Sequence, residues 1–97
     1  MEKIALEFTY EKYILSVPSD IAKDIKKIQR AFDKWLYDKS NDHGLWIVKN
    51  GRKAAVQFDA SDFADFINRT YLNERKEKAK ITEEVTEVPA GVPVLYF

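Results

Sequence analysis

Ninety-seven residues suffice for one domain with a single modest core, and an apolar content of 45% is too high for a disordered chain. Acidic and basic residues number 16 each, which argues against a dedicated nucleic-acid or membrane-surface binder but not against a local patch. Without cysteine there is no disulfide frame, no thiolate nucleophile and no cysteine-ligated zinc, and no apolar run approaches bilayer-spanning length. The N-terminus lacks a charged segment followed by an apolar run, so the expectation is a cytoplasmic protein without a signal peptide.

Ile4, Leu6, Phe8 and Tyr10 alternate with Ala5, Glu7 and Thr9, the period of a half-buried strand. Tyr13, Leu15 and Val17 repeat the pattern around Ile14 and Ser16. Glu11-Lys12 then forms a hairpin turn, unless the whole stretch is one bent strand. Next, the spacing predicts a helix over Ser19–Asp38. Ile21, Ile25, Ile28, Phe32, Trp35 and Leu36 fall on one stripe, with lysines, Arg30 and aspartates on the other faces. Pro18 cannot lie inside this helix, Ser19 after it serves as N-cap, and Asp20 suits the positive end of the dipole. The polar run Lys39–Gly44 ends it.

Asn50-Gly51 lies between Leu45–Lys49 and Arg52–Phe58, the pattern of a type I′ hairpin. A two-residue loop pairs Lys49 with Arg52, Ile47 with Ala54 and Leu45 with Val56. Leu45, Ile47, Ala54, Val56 and Phe58 then form the core face. Trp46, Val48, Lys53, Ala55 and Gln57 form the other. Asp59 or Ser61 caps a second helix whose stripe is Phe63, Phe66, Ile67 and Thr70-Tyr71. The charged run Asn73–Lys80 either extends that helix, with Glu74 and Lys78 spaced to support one another, or frays. Ile81–Val88 alternates β-formers with glutamates, Pro89-Ala90-Gly91 interrupts it, and Val92–Phe97 is apolar to the end.

These elements predict an α+β fold in the order ββαββα. The sheet is antiparallel, both helices lie on one face, and a C-terminal tail strand follows. Residues 1–80 form the domain and 81–97 an apolar tail docked on the same or a neighbouring subunit. The expected core is Leu6, Phe8, Leu15, Ile21, Ile25, Ile28, Phe32, Ile47, Val56, Phe63 and Ile67.

Four groups of residues have chemical potential. Asp42-His43 holds the only histidine, and an Asp-His pair occurs in one class of metal-dependent nuclease site. The second histidine such a site needs is missing, so the pair reads as a polar loop. Asp59, Asp62 and Asp65 share a helix face, but a helix N-terminus attracts acids without any cation. Lys23, Lys27, Arg30 and Lys34 form a basic stripe which, with Lys49, Arg52 and Lys53 at the hairpin tip, could meet phosphates. Asp20, Asp24 and Asp33 balance it as an ordinary solvated face. Lastly, Trp46 and Val48 leave apolar area on the outer face of the hairpin. Either the tail residues Val94, Leu95, Tyr96 and Phe97 cover them, in the same chain or across a homodimer, or they form a protein-binding surface.

The runs LEFTYEKYILSVPSDI, FDKWLYDKSNDHGLWI and VPVLYF resemble small uncharacterised proteins carried on conjugative or phage-like elements of Gram-positive bacteria. The resemblance implies an accessory or regulatory binding protein and no site residues. No phosphate-binding glycine loop, nucleophile elbow or HExxH motif is present. The expected function is therefore a non-catalytic protein-interaction role with an unnamed protein partner or a second copy, without cofactor, metal or membrane. Nucleic-acid binding through the first helix is the alternative.

Overall fold

Period-two alternation produces the first hairpin of the computed structural model, which describes residues 1–97. β1 (Glu2–Glu7) and β2 (Lys12–Val17) run antiparallel, with Ile4 opposite Leu15 and Leu6 opposite Tyr13. The turn comes earlier than Glu11-Lys12. Phe8 N–H donates to Glu11 O at 2.8 Å, which puts Thr9 and Tyr10 at the tip. Tyr10 is 96% exposed and belongs to neither strand.

The single long helix expected next is broken once. α1 (Ser19–Lys23) and α2 (Ile25–Leu36) meet at Asp24, whose φ of −104° and ψ of 16° lie in the bridge region. Ladder bonds continue on both sides of the break: Asp24 N–H reaches Ile21 O at 3.1 Å and Ile28 N–H reaches Asp24 O at 2.9 Å. Pro18, not Ser19, occupies the N-cap position. The Ser19 hydroxyl lies in the first turn and donates to Glu2 at 3.4 Å. α2 ends at Leu36, short of Asp38, after burying Ile25, Ile28, Phe32 and Leu36. Each such side chain contributes roughly 1.5–3 kcal/mol of burial.

α3 (Ala60–Thr70) starts with a reciprocal cap. Asp59 Oδ1 accepts from Asp62 N–H at 3.2 Å, and Asp62 Oδ2 accepts from Asp59 N–H at 2.9 Å. Asp59 is thus the cap, and the Ser61 hydroxyl donates to it at 2.6 Å. The helix does not run on through Asn73–Lys80. Lys78 donates instead to the Leu72 and Asn73 carbonyls at 2.6 and 3.3 Å, and Arg75 reaches across to Asp20 at 2.7 Å. The Glu74–Lys78 pairing of a helix is therefore not made.

β5 (Lys80–Val85) and β6 (Val94–Tyr96) complete a four-stranded sheet of order β5-β2-β1-β6. β6 runs parallel to β1, with Leu95 opposite Leu6. β3 (Trp46–Lys49) and β4 (Arg52–Val56) form a second, two-stranded sheet. The class is α+β, but the single antiparallel sheet expected from the sequence is two sheets, one of them mixed. The cause is that the C-terminal residues, not the second hairpin, occupy the free edge of β1. β5 and β6 thus supply both edge strands of the main sheet.

All three helices pack on the sheet face that carries Ile4, Leu6, Leu15 and Val17, and their buried side chains join these in one cluster. Phe32 is its aromatic centre, with the rings of Phe58, Phe63 and Phe66 at 5.4, 5.2 and 5.3 Å. Of the expected core, Phe8 and Val56 are half-buried against this cluster and Ile47 lies outside it. On the opposite face Ala5 and Ile14 are also fully buried, yet belong to no part of that cluster. β5 and β6 lie at opposite edges, so the segment joining them must cross this second face. Its Val88 and Val92 are half-buried there. No helix is long and apolar enough to cross a membrane.

Candidate interaction surface

The second hairpin turns as the Asn-Gly pair requires, with φ of 53° at Asn50 and 74° at Gly51. Lys49 faces Arg52, as the loop length dictates. A bulge then intervenes, and Ile47 faces Ala55 while Trp46 faces Val56, leaving Ala54 as the extra residue. A one-residue slip exchanges the faces of a strand. Trp46, Val48, Lys53 and Val56 consequently share one face, and Ile47 and Ala55 share the other. The expected core face is corrected accordingly: Ile47 is 37% exposed, and Ala54 is exposed. Only Leu45, Val56 and Phe58, at the base of the hairpin, pack against the core. Beyond the base the ribbon projects, and Val48 is 59% exposed.

Trp46 and Val48 do not form one patch. Trp46 is half-buried in a loop built from residues 39–45. Its indole N–H donates to Asn41 O at 2.7 Å, its ring stacks on His43 at 5.4 Å, and Lys53 Nζ lies 5.7 Å from the ring centre. Trp35 lies on the other side of His43 at 4.8 Å. Both His43 nitrogens are engaged: Nε2 with Leu36 O at 2.7 Å and Nδ1 with Leu45 N–H at 3.0 Å. A backbone N–H can only donate, so Nδ1 accepts and the proton is on Nε2. His43 is a structural wedge between two tryptophans. Asp42 binds Lys53 at 2.6 Å, and that hydrogen bond holds its carboxyl below the usual range. Ser40 does the same to Asp38 by donating at 2.7 Å. No three His, Asp or Glu side chains are grouped to hold a metal ion.

The tail meets the hairpin at its base, where the Phe97 ring lies 6.0 Å from that of Phe58, and no aromatic contact joins it to Trp46. Leu95 is buried in the main core, and Phe97 stacks on Phe8 at 5.0 Å with a 9° interplanar angle. Val94 lies half-buried beside Ala5, and Tyr96 faces solvent with its carbonyl accepting from the Gln29 amide at 2.8 Å. The expected surface of Trp46, Val48, Val94, Leu95, Tyr96 and Phe97 is therefore split between two regions of the molecule. What the sequence missed is the exposure of Ile47 and Ala54, because the bulge that exposes them has no local signature; Ala55 is already expected on the outer face.

The basic stripe is real as a surface. Lys23, Lys27, Arg30 and Lys34 are exposed and enter no ion pair, and Lys26 beside them is equally free. Arg52 is exposed at the hairpin tip, whereas Lys53 is drawn back onto Asp42 and the Lys39 carbonyl. Lys26, Arg30, Leu95 and Tyr96 flank a shallow groove of about 260 Å³ between α2 and β6. No protein family matches the sequence, and no curated protein or solved structure is similar enough to register as a match.

Proposed function

We propose that this protein is a non-catalytic interaction protein of the cytoplasm that engages a protein partner through its β3–β4 hairpin. One observation carries the reading. The hairpin is anchored at its base by Leu45, Val56 and Phe58, while Ile47, Val48, Ala54 and Ala55 stand exposed beyond it. Apolar residues on both faces of a projecting ribbon are the kind of surface that binding covers. The rigid base, with Trp46 and His43 locked in place, holds the ribbon in position. The accessory role implied by the resemblance to mobile-element proteins agrees with this reading.

The test compares wild type with the double variant Ile47→Lys, Val48→Asp, immobilised in a native lysate. Specific retention of a protein by wild type, abolished in a variant of unchanged circular dichroism, supports the reading. Equal retention by both proteins refutes it.

The unpaired cations of α1 and α2 favour nucleic acid as the second reading. Phosphate contacts make affinity fall steeply with salt. Micromolar binding to duplex or single-stranded DNA that shows this slope and is lost in Lys27→Glu, Arg30→Glu would replace the first reading with the second.

A further inference from the structure

The three other sheet edges are each blocked. β5 carries Glu83 and Glu84 and is irregular where it pairs with Ile14 and Leu15 of β2. β6 is three residues long, follows Pro93, and has one carbonyl covered by Gln29. β4 has the bulge at Ala54, with Arg52 and Lys53 before it. Short length, charge, proline and bulges are the devices by which folded proteins prevent edge-to-edge pairing. β3 is also short, at four residues, but Trp46-Ile47-Val48 carries no charge or proline, and the extra residue of the bulge lies on β4.

The free groups on that edge can be named. Lys49 and Arg52 close the two-residue loop, and Gln57 N–H donates to Leu45 O at 2.9 Å. Alternate residues of an antiparallel strand face the same neighbour. Leu45, Ile47 and Lys49 therefore turn their backbone groups toward β4, and Trp46 and Val48 turn theirs away. None of the hydrogen bonds outside the ladders ends on a backbone group of Trp46 or Val48. A two-stranded sheet is marginal by itself, and further strands stabilise it.

We infer that β3 pairs antiparallel with β3 of a second copy about a two-fold axis at Ile47, giving one four-stranded sheet across the dimer. This rests on the proposal that the hairpin is the interaction surface, and it names the occupant. The register follows from the free groups. An axis at Ile47 pairs Trp46 with the partner's Val48 and Val48 with the partner's Trp46, which uses every outward N–H and C=O of both residues. An axis at Trp46 or Val48 would need Gly44 or Asn50, which lie outside the strand at φ of 84° and 53°. On one face the apolar row then runs Ala55, Ile47, the partner's Ile47, the partner's Ala55. Charge agrees with this arrangement. Antiparallel pairing separates the two basic tips and carries Lys49 and Arg52 past the partner's Leu45 toward the loop of the partner's Asp42. Asp42 has a side chain 85% exposed even with Lys53 bound.

The chain has no cysteine, so a single introduced one can bridge only between copies. Cβ atoms of a non-hydrogen-bonded antiparallel pair lie about 4.5–5.5 Å apart, close to what a disulfide spans. Under mild oxidation Ile47→Cys should form a covalent dimer at least ten times faster than Tyr10→Cys, a control at a more exposed tip. Sedimentation of the unmodified full chain should show mass rising from one chain toward two across roughly 1 µM to 1 mM, the behaviour of a small transient interface. Val48→Pro should keep the monomer folded, because its N–H is unused in the β3–β4 ladder, and should abolish the association. Equal oxidation rates for the two cysteine variants, or a single-chain mass throughout, overturn the dimer. If lysate retention still depends on Ile47 and Val48 in that case, the hairpin reading stands with a different partner. If it does not, both fall.

Discussion

The Asn68 side chain pairs with Ala79 as a neighbouring strand would. Its amide donates to Ala79 O at 3.0 Å and its carbonyl accepts from Ala79 N–H at 2.7 Å. Ala79 is 4% exposed, so neither backbone group can turn to water instead. This pair fastens the charged 73–79 loop to α3 and sets where β5 begins. Asn68→Leu keeps the approximate volume and orphans both groups. The expected loss is about 2 kcal/mol, or some 8–16 °C of melting temperature for a domain this size, read by urea and thermal unfolding. A loss below about 0.5 kcal/mol would mean that water replaces the amide.

His43 is expected to act on stability and on nothing else. His43→Phe preserves stacking between Trp35 and Trp46 but leaves Leu36 O and Leu45 N–H without partners. Destabilisation by about 2 kcal/mol should follow, with Trp fluorescence reporting the loosened loop. Zinc and magnesium should leave the melting temperature of wild type unchanged. A metal-dependent rise that disappears in the variant would instead make Asp42-His43 a ligand pair.

The two carboxylates at the start of α3 should titrate apart. Ser61 and the Asp62 N–H hydrogen-bond to Asp59 and lower its pKa, while burial raises that of Asp62. Asp59 therefore adds stability above its unfolded pKa of about 3.9, and the contribution is lost as pH falls through its lower folded value. Asp62 has the opposite sign. Its ionised form costs stability above its raised folded pKa, and that cost is gone once pH is below the unfolded value. Side-chain carboxyl NMR should find the Asp62 midpoint above that of Asp59. Asp59→Asn, which keeps a competent cap, should flatten the acid loss of stability below roughly pH 4, and Asp59→Ala should cost about 1 kcal/mol at neutral pH. Coincident midpoints would show that the two carboxylates are not held as described.

How much of this was legible follows from the range of each signal. Period-two and helical patterns are local, so β1, β2, α2, α3 and most of the core could be read directly. The Asn50-Gly51 turn was equally plain. Strand order is not local. Nothing in Val94-Leu95-Tyr96 says that it will run parallel to Ile4-Ala5-Leu6, because that pairing depends on a crossover over Ala5 and Ile14. The bulge at Ala54 is the more instructive miss. One extra residue in an otherwise regular strand moved Ile47 from the expected core to solvent, and hence changed which residues form the candidate site. Lys53 shows the same limit in the basic patch, since its partners lie in a loop that precedes the hairpin.

The C-terminal residues should be the most sensitive part of the chain to truncation. Leu95 is buried in the core opposite Leu6, and Phe97 lies within 5.0–6.4 Å of the rings of Phe8, Phe32, Phe58 and Phe63. The strand also satisfies β1 directly: Phe97 N–H donates to Glu7 O at 2.9 Å, and Ala5 N–H donates to Pro93 O at 2.8 Å. Removing residues 89–97 opens the β1 edge, uncovers Ala5 and Ile14, and leaves Phe32 facing a void. Burial of Leu95 and of the half-buried Phe97 alone accounts for roughly 2–4.5 kcal/mol, a large share of the stability of a small domain. The truncated chain should therefore be largely unfolded at 25 °C by circular dichroism. Phe97→Ala is the milder probe, with an expected loss of about 2–3 kcal/mol because the ring is only half-buried. Phe97→Leu should recover about half of that loss by filling the space without stacking on Phe8. A truncated chain that melts with wild type would mean that β6 is not part of the sheet in solution, and the protection of the β1 edge would then need another explanation.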